Sequence, residues 1–203
     1  PTNETTTEVQ LLSKLTVRYI EKATGKEIAR TKVETLKVGD TYKEEPLEIE
    51  DYSFIESTDN TQGTIGINPE EVIFYYEKNI AKIVVHHYEE GTTNKLSENV
   101  EIDGHIGDTY NTKPATDIPS KYELVAMPEN ASGTMTKELE EIIYYYRVKD
   151  TSLIIKYLEK DTNKELAKQE RQTGKVEEDY ITEAKQIEGY TLVGDSGNTT
   201  GKL

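Results

Sequence analysis

The same ordered set of residues returns every 68 to 70 positions along this chain, and a repeat of that length is the strongest limit on how it can fold. "LTVRYIEKATGKEI" from Leu15, "IVVHHYEEGTTNKL" from Ile83 and "LIIKYLEKDTNKEL" from Leu153 open three copies. Tyr19, His87 and Tyr157 are each followed 23 residues later by Tyr42, Tyr110 and Tyr180. Tyr52, Tyr122 and Tyr190 come 10, 12 and 10 residues further on, so the middle copy carries two extra residues near Pro114 and Pro119. Gly63, Gly133 and Gly201 follow after 11 more, and "EEVIFYYEK" (70–78) and "EEIIYYYRV" (140–148) close the first two copies. The expected organisation is a Thr-rich leader over 1–13 and modules over 14–78, 79–149 and 150–203. The third stops before its closing strand, which the offset places near 210–214. A module lacking that strand is expected to leave strand edges unpaired, and so to be disordered or to borrow a strand from another chain. A fragment of a longer chain is the simplest explanation.

Hydrophobic residues supply only 34% of the chain and charged ones 31%, against about 45–50% apolar in ordinary globular domains counted with glycine. Several thin-cored units fit that better than one thick-cored enzyme domain. With 39 acidic and 24 basic side chains the net charge is -15, which repels nucleic-acid phosphate and anionic lipid. The absence of cysteine excludes disulfides, thiolate nucleophiles and cysteine-bound metal. No apolar run is long enough for a membrane-spanning helix, so no membrane insertion is expected. The short joints "EKNIAK" and "RVKDTS" contain no flexible tract, so the modules are expected to contact one another in an elongated, semi-rigid array.

Within each copy the periodicity is that of strands. Leu15, Val17 and Tyr19 alternate with Thr16 and Arg18, and "TGKE" or "TNKE" then supplies a hairpin turn. "VGDTY" and "IGDTY" place a glycine where the backbone needs unusual angles, whereas the third copy reads "VEEDY", a turn expected to differ. "YSFI", "YELV" and "YTLV" read as further strands, and "VIFYY" and "IIYYY" as strands covered on both faces. A helix, if present, is short and lies between the second and third strands. The expected class is mainly β, α+β at most.

The succession "VxYxE", "GDTY", "Y-x-[FL]-[IV]", an isolated "GT" and "[VI]-I-[FY]-YY" resembles the MucBP (mucin-binding protein) repeat of Gram-positive surface proteins. The resemblance implies tandem small β-grasp, ubiquitin-like modules on a secreted, cell-wall-anchored protein. It also implies cell adhesion through mucin-type glycoproteins or other host glycans, weak at each module and multivalent. The alternative function is a non-binding stalk that projects another adhesive domain. An enzyme is not expected: no catalytic triad, phosphate loop or metal motif is present, and no cofactor is implied.

Fourteen tyrosines invite a glycan-stacking hypothesis. All occupy repeated apolar or aromatic slots, and Tyr144 exchanges with Phe74, so packing explains most of them. Strand alternation sends Tyr144 and Tyr146 to one face and Tyr145 to the other. The candidate ligand-binding residues are therefore Tyr75, Tyr145, Tyr76 and Tyr146, whichever pair faces the less covered side. Tyr19, Tyr52, Tyr122 and Tyr157 are expected to lose most of their accessible surface. His86 and His87 are adjacent and point to opposite faces of a strand, which disfavours a metal site with His105. "DTN" (161–163) and "DSGN" (195–198) read as turns in preference to calcium loops.

Overall fold

The computed structural model describes residues 2–203, and every regular element among them is a strand. Module 1 contains β1 (Leu12–Glu21), β2 (Lys32–Lys37), β3 (Thr41–Lys43), β4 (Tyr52–Ser57), β5 (Gln62–Thr64) and β6 (Glu70–Lys78). Module 2 contains β7 (Ile80–Glu89), β8 (Lys95–His105), β9 (Thr109–Asn111), β10 (Tyr122–Leu124), β11 (Ser132–Thr134) and β12 (Glu140–Val148). Module 3 contains β13 (Asp150–Leu158), β14 (Glu165–Lys175), β15 (Asp179–Ile181) and β16 (Thr200–Lys202).

The sheets run β2-β1-β6-β4 and β10-β12-β7-β8, with small ribbons β3-β5 and β9-β11 beside them. Closing strands β6 and β12 thus lie mid-sheet, as a β-grasp arrangement requires. β1 pairs antiparallel with β2 and parallel with β6. The allowed helix is absent among the described residues. Its place is taken by β3, whose Tyr42 covers Gly63 of β5: a Cβ on that glycine would sit 3.2 Å from the tyrosine oxygen. Tyr180 covers Gly201 in the same way, which is a physical reason for the repeated glycine.

Cα proximity divides the chain into two compact units. The first takes the chain up to Ile83 with Ile102–Tyr110 and Thr134–Glu140; the second takes Val84–Glu101, Asn111–Gly133 and Glu141–Leu203. In the first, Leu15, Val17, Tyr19, Ile65, Val72, Phe74 and Tyr76 form the buried cluster. Tyr19 stacks on Phe74 with centroids 5.8 Å apart, and Tyr76 donates to the Leu47 carbonyl at 2.9 Å. In the second, His87 takes the Tyr19 slot and stacks on Tyr144 at 5.2 Å. Tyr144 is fully buried, and its extra hydroxyl meets Thr112 Oγ1 at 2.8 Å while Thr112 donates to the Ala131 carbonyl at 2.7 Å. Module 1 has Phe74 and Glu44 at the corresponding positions. Hydroxyl and partner are present or absent together, as burial of a polar group demands.

The glycines of the repeated turns behave as read: Gly39 and Gly107 have φ of 99° and 89°. The turn of the third copy is not different. Glu177 takes a φ of 69°, and its N–H donates to the Leu203 carbonyl at 2.8 Å, as Gly39 donates to Ile65 and Gly107 to Met135, each at 2.9 Å. Glu177 also pairs with Lys121 at 2.7 Å. The hydrogen-bond frame imposes the turn, and glycine only makes it easier. Gly39→Ala is accordingly expected to keep the fold and cost about 1–2 kcal/mol, the range of a left-handed non-glycine residue; urea unfolding of wild type and variant checks this.

Module 3 carries counterparts of four of the six strands. β13 pairs only with β14, and β15 with β16. Tyr190–Val193, the expected "YTLV" strand, is not one. The residue pattern suits a strand, but in modules 1 and 2 that strand pairs with the closing strand, and no counterpart of β6 or β12 stands beside it here.

Candidate functional site

The outward side of the closing strands offers the site. Tyr76 and Tyr146 point inward and are 1% and 3% exposed, so these two candidates are core residues. Tyr75 is half-buried and Tyr145 is 39% exposed. Alternation along β6 and β12 accounts for the split. Of the four candidates, the structure offers Tyr145 and, partly, Tyr75 to a ligand, and it brings no two of them together as a platform.

Tyr145 borders a cavity of about 640 Å³ with Glu90, Gly91, Thr92, Thr93 and Val125. The β7–β8 turn forming one wall is held by a set of bonds that includes Glu90 N–H to the Tyr146 carbonyl at 2.8 Å, Thr92 Oγ1 to the Glu89 carbonyl at 2.9 Å, and Asn94 N–H to Thr92 Oγ1 at 3.0 Å. Gly91, with φ of 72°, adds no side chain to the shelf. Val125 N–H donates to the Tyr145 carbonyl at 2.9 Å and fixes the opposite wall. An aromatic face next to a carboxylate and two hydroxyl-bearing residues suits a ligand with one apolar face and a polar rim.

Module 1 differs at this position, and two of the changed residues interact. Lys22 and Glu56 stand where module 2 has Glu90 and Ala126, and their side chains form an ion pair at 2.5 Å. Glu56 is the register partner of Tyr75. The turn and Val125 were not singled out from the sequence, although Tyr145 was. The available signal was the exchange of the Lys22/Glu56 pair for Glu90/Ala126 between aligned copies.

The histidines serve other ends. His87 is 2% exposed, with its Nδ1 3.0 Å from the Tyr146 hydroxyl. The Ala115 N–H donates to that oxygen at 3.3 Å, leaving the phenolic proton for an imidazole nitrogen that is neutral and accepting. Burial lowers the His87 pKa, with His86 acting in the same direction and Asp117 opposing. His86, one residue earlier, meets Glu141 at 3.2 Å and the Tyr88 hydroxyl at 3.0 Å. Among the described residues no group of three or more His, Cys, Asp or Glu is placed to hold a metal ion, and no helix is long and apolar enough to cross a membrane. "DTN" and "DSGN" are turns: Asp161 and Asn163 have positive φ, and Gly197 N–H donates to Asp195 Oδ1 at 2.7 Å.

A mainly β tandem repeat with small aromatic-centred modules is the class that sequence and fold define. The MucBP domain family matches residues 14–77, 82–147 and 152–203, and the chain belongs to that family. It is 32% identical over 192 residues to Internalin J of Listeria monocytogenes serotype 4b (strain F2365), an alignment covering 92% of this chain and 21% of that protein. Internalin I of Listeria monocytogenes serovar 1/2a (strain ATCC BAA-679 / EGD-e) is 27% identical over 187 residues, covering 90% and 10%. The chain thus spans about a fifth of the length of the first relative and a tenth of the second. Among solved structures, domains 3-4 of the Streptococcal High Identity Repeats in Tandem of a cell surface protein align over 68% of this chain and 98% of theirs. The identity there is 13% and the TM-score 0.31. The type 2 repeat of the mucus binding protein MUB from Lactobacillus reuteri aligns over 68% and 100%, at 12% identity and TM-score 0.23.

Proposed function

We propose that this chain is the repeat region of an extracellular, cell-wall-anchored adhesin, divided into modules at 14–78, 79–149 and 150–203, and that it contacts mucin-type glycoproteins or other host glycans weakly, through its second module. The observation that carries the reading is the Tyr145 shelf: one exposed ring on a firmly bonded strand, flanked by Glu90, Thr92 and Thr93. A pyranose stacks its apolar face on such a ring and directs hydroxyls to the polar rim. The net charge of -15 favours neutral over sialylated or sulfated glycans. Membership of a non-catalytic repeat family supports adhesion over catalysis. Avidity multiplies such contacts when several copies of the chain engage together.

Glycan-array and mucin binding of the whole chain test this. Tyr145→Ala is expected to weaken binding at least about tenfold, as loss of an aromatic anchor does, while thermal unfolding stays unchanged. Unchanged binding in the variant removes the site. A second reading is a spacer that binds nothing, favoured by the burial of Tyr19, Tyr76, Tyr144 and Tyr146 in packing roles. It is supported if multivalent wild-type protein retains no glycan.

A further inference from the structure

The exchange of residues around Tyr145 between aligned copies changes the charge of the shelf. In module 1 the slot is closed by the chain itself: Lys22 Nζ meets Glu56 at 2.5 Å, and Glu56 is the register partner of Tyr75. An ammonium group, a carboxylate and a tyrosine share one stretch of that sheet. Module 2 keeps the ring as Tyr145 and puts a carboxylate, Glu90, where the lysine was, while Ala126 replaces Glu56. A ring and an acid remain there, and the ammonium group is gone.

Among the described residues the Glu90 carboxylate makes no hydrogen bond or ion pair, although its backbone N–H is bonded to the Tyr146 carbonyl. Arg147 lies within electrostatic reach of Glu90 but is bonded to Glu123 at 2.9 Å. Two carboxylates thus face one guanidinium, which leaves one negative charge beside the ring uncompensated. The Thr92 hydroxyl donates to the Glu89 carbonyl, so toward a ligand it can only accept. The Tyr145 ring adds to this, because the negative face of an aromatic ring attracts a nearby ammonium group. At longer range the net charge of -15 draws cations toward the chain.

We infer that the Tyr145 shelf takes an amino sugar, whose pyranose face stacks on Tyr145 and whose free ammonium group, projecting from the rim of the sugar ring, pairs with the Glu90 carboxylate. The inference rests on the glycan reading of this shelf and adds the charge of the sugar to it. An N-acetyl group removes the positive charge and a plain hydroxyl never carries one, so neither reproduces the pair.

The probes are glucosamine, N-acetylglucosamine and glucose, which differ only at C2, titrated into the full chain at pH 7 with the Tyr145 ring signals followed by NMR. At that pH an amine of the α-amino kind is largely protonated. Glucosamine is expected to bind about fivefold more tightly than the other two, the combined effect of an exposed charge pair and a neighbouring ring. Raising the salt from about 50 mM to about 0.5 M is expected to remove most of that preference, since screening weakens exposed pairs. Glu90→Gln is expected to bring the three sugars within about twofold of one another, as is Glu90→Lys combined with Ala126→Glu, which rebuilds the module 1 pair. The comparison of sugars on the wild-type chain needs neither variant. Equal binding of all three to wild type overturns the amino-sugar assignment and leaves the glycan reading standing. No shift of Tyr145 by any of them overturns it too, and the glycan-array result then decides the wider reading separately. N-acetyl-lysine methylamide binding as tightly as glucosamine also overturns it, because the shelf would then read an ammonium group without a sugar.

Discussion

Tyr144→Ala is expected to unfold the second module while leaving the first intact. The ring is fully buried, stacked on His87 and bonded to Thr112. Truncating a buried aromatic of this kind costs about 3–5 kcal/mol. A unit of some seventy residues has on the order of 4–10 kcal/mol in all, and a lean core sits toward the low end. Loss of most of that margin shows as proteolytic cutting inside 79–149 under conditions where 14–78 survives. Tyr145→Ala, one residue along on the opposite face, is expected to change stability by no more than about 0.5 kcal/mol, as exposed substitutions generally do. Equal resistance of the Tyr144 variant and wild type to protease would contradict the packing described for this core.

The second large effect is acid lability confined to module 2. Burial holds His87 below its ordinary value of 6.5. The unfolded chain therefore takes up a proton in a range where the folded module resists one, and stability falls as pH drops below about 6.5 until the depressed folded value is reached. Each unit of depression removes about 1.4 kcal/mol once that value is passed. Protonation also turns Nδ1 into a donor, so it can no longer accept the proton of the Tyr146 hydroxyl. Tyr19 occupies the corresponding slot in module 1 and does not titrate in this range. Melting between pH 7.5 and 5 should therefore lower the transition of module 2 more than that of module 1, and His87→Tyr should remove the difference. A parallel fall of both transitions in wild type would assign the acid sensitivity to surface carboxylates instead.

The local layout of this fold is written in its repeats. Alternation in "LTVRYI" places Leu15, Val17 and Tyr19 inside, and the same rule separates Tyr145 from Tyr144 and Tyr146. What depends on distant partners is less legible. "YTLV" has the composition of a strand and forms none, because strand formation there waits on a neighbour supplied from elsewhere in the fold. Tyr19 is buried as expected, whereas Tyr52, Tyr122 and Tyr157 are only half-buried. Tyr52 and Tyr122 lie at strand ends near the sheet margins, and Tyr157 lies on β13, which pairs only with β14. The turn at Glu177 shows the converse error: a changed residue suggested a changed turn, but backbone bonds to Leu203 and Lys175 preserve it. For the candidate site, the ring was visible from periodicity, while its setting required knowing that Lys22 lies beside Glu56 in one copy and that the β7–β8 turn and Val125 flank Tyr145 in the next.

The parallel pairing of β1 with β6 joins the first and last strands of a module through seven register pairs, from Leu15–Glu70 to Glu21–Tyr76. A tether pulled from its two ends would load these strands in opposite directions along their length. Their hydrogen bonds then carry tension side by side and must fail together, unlike those of a hairpin peeled from one end. Such a pairing is expected to resist stretching more than the equilibrium stability of the module alone suggests.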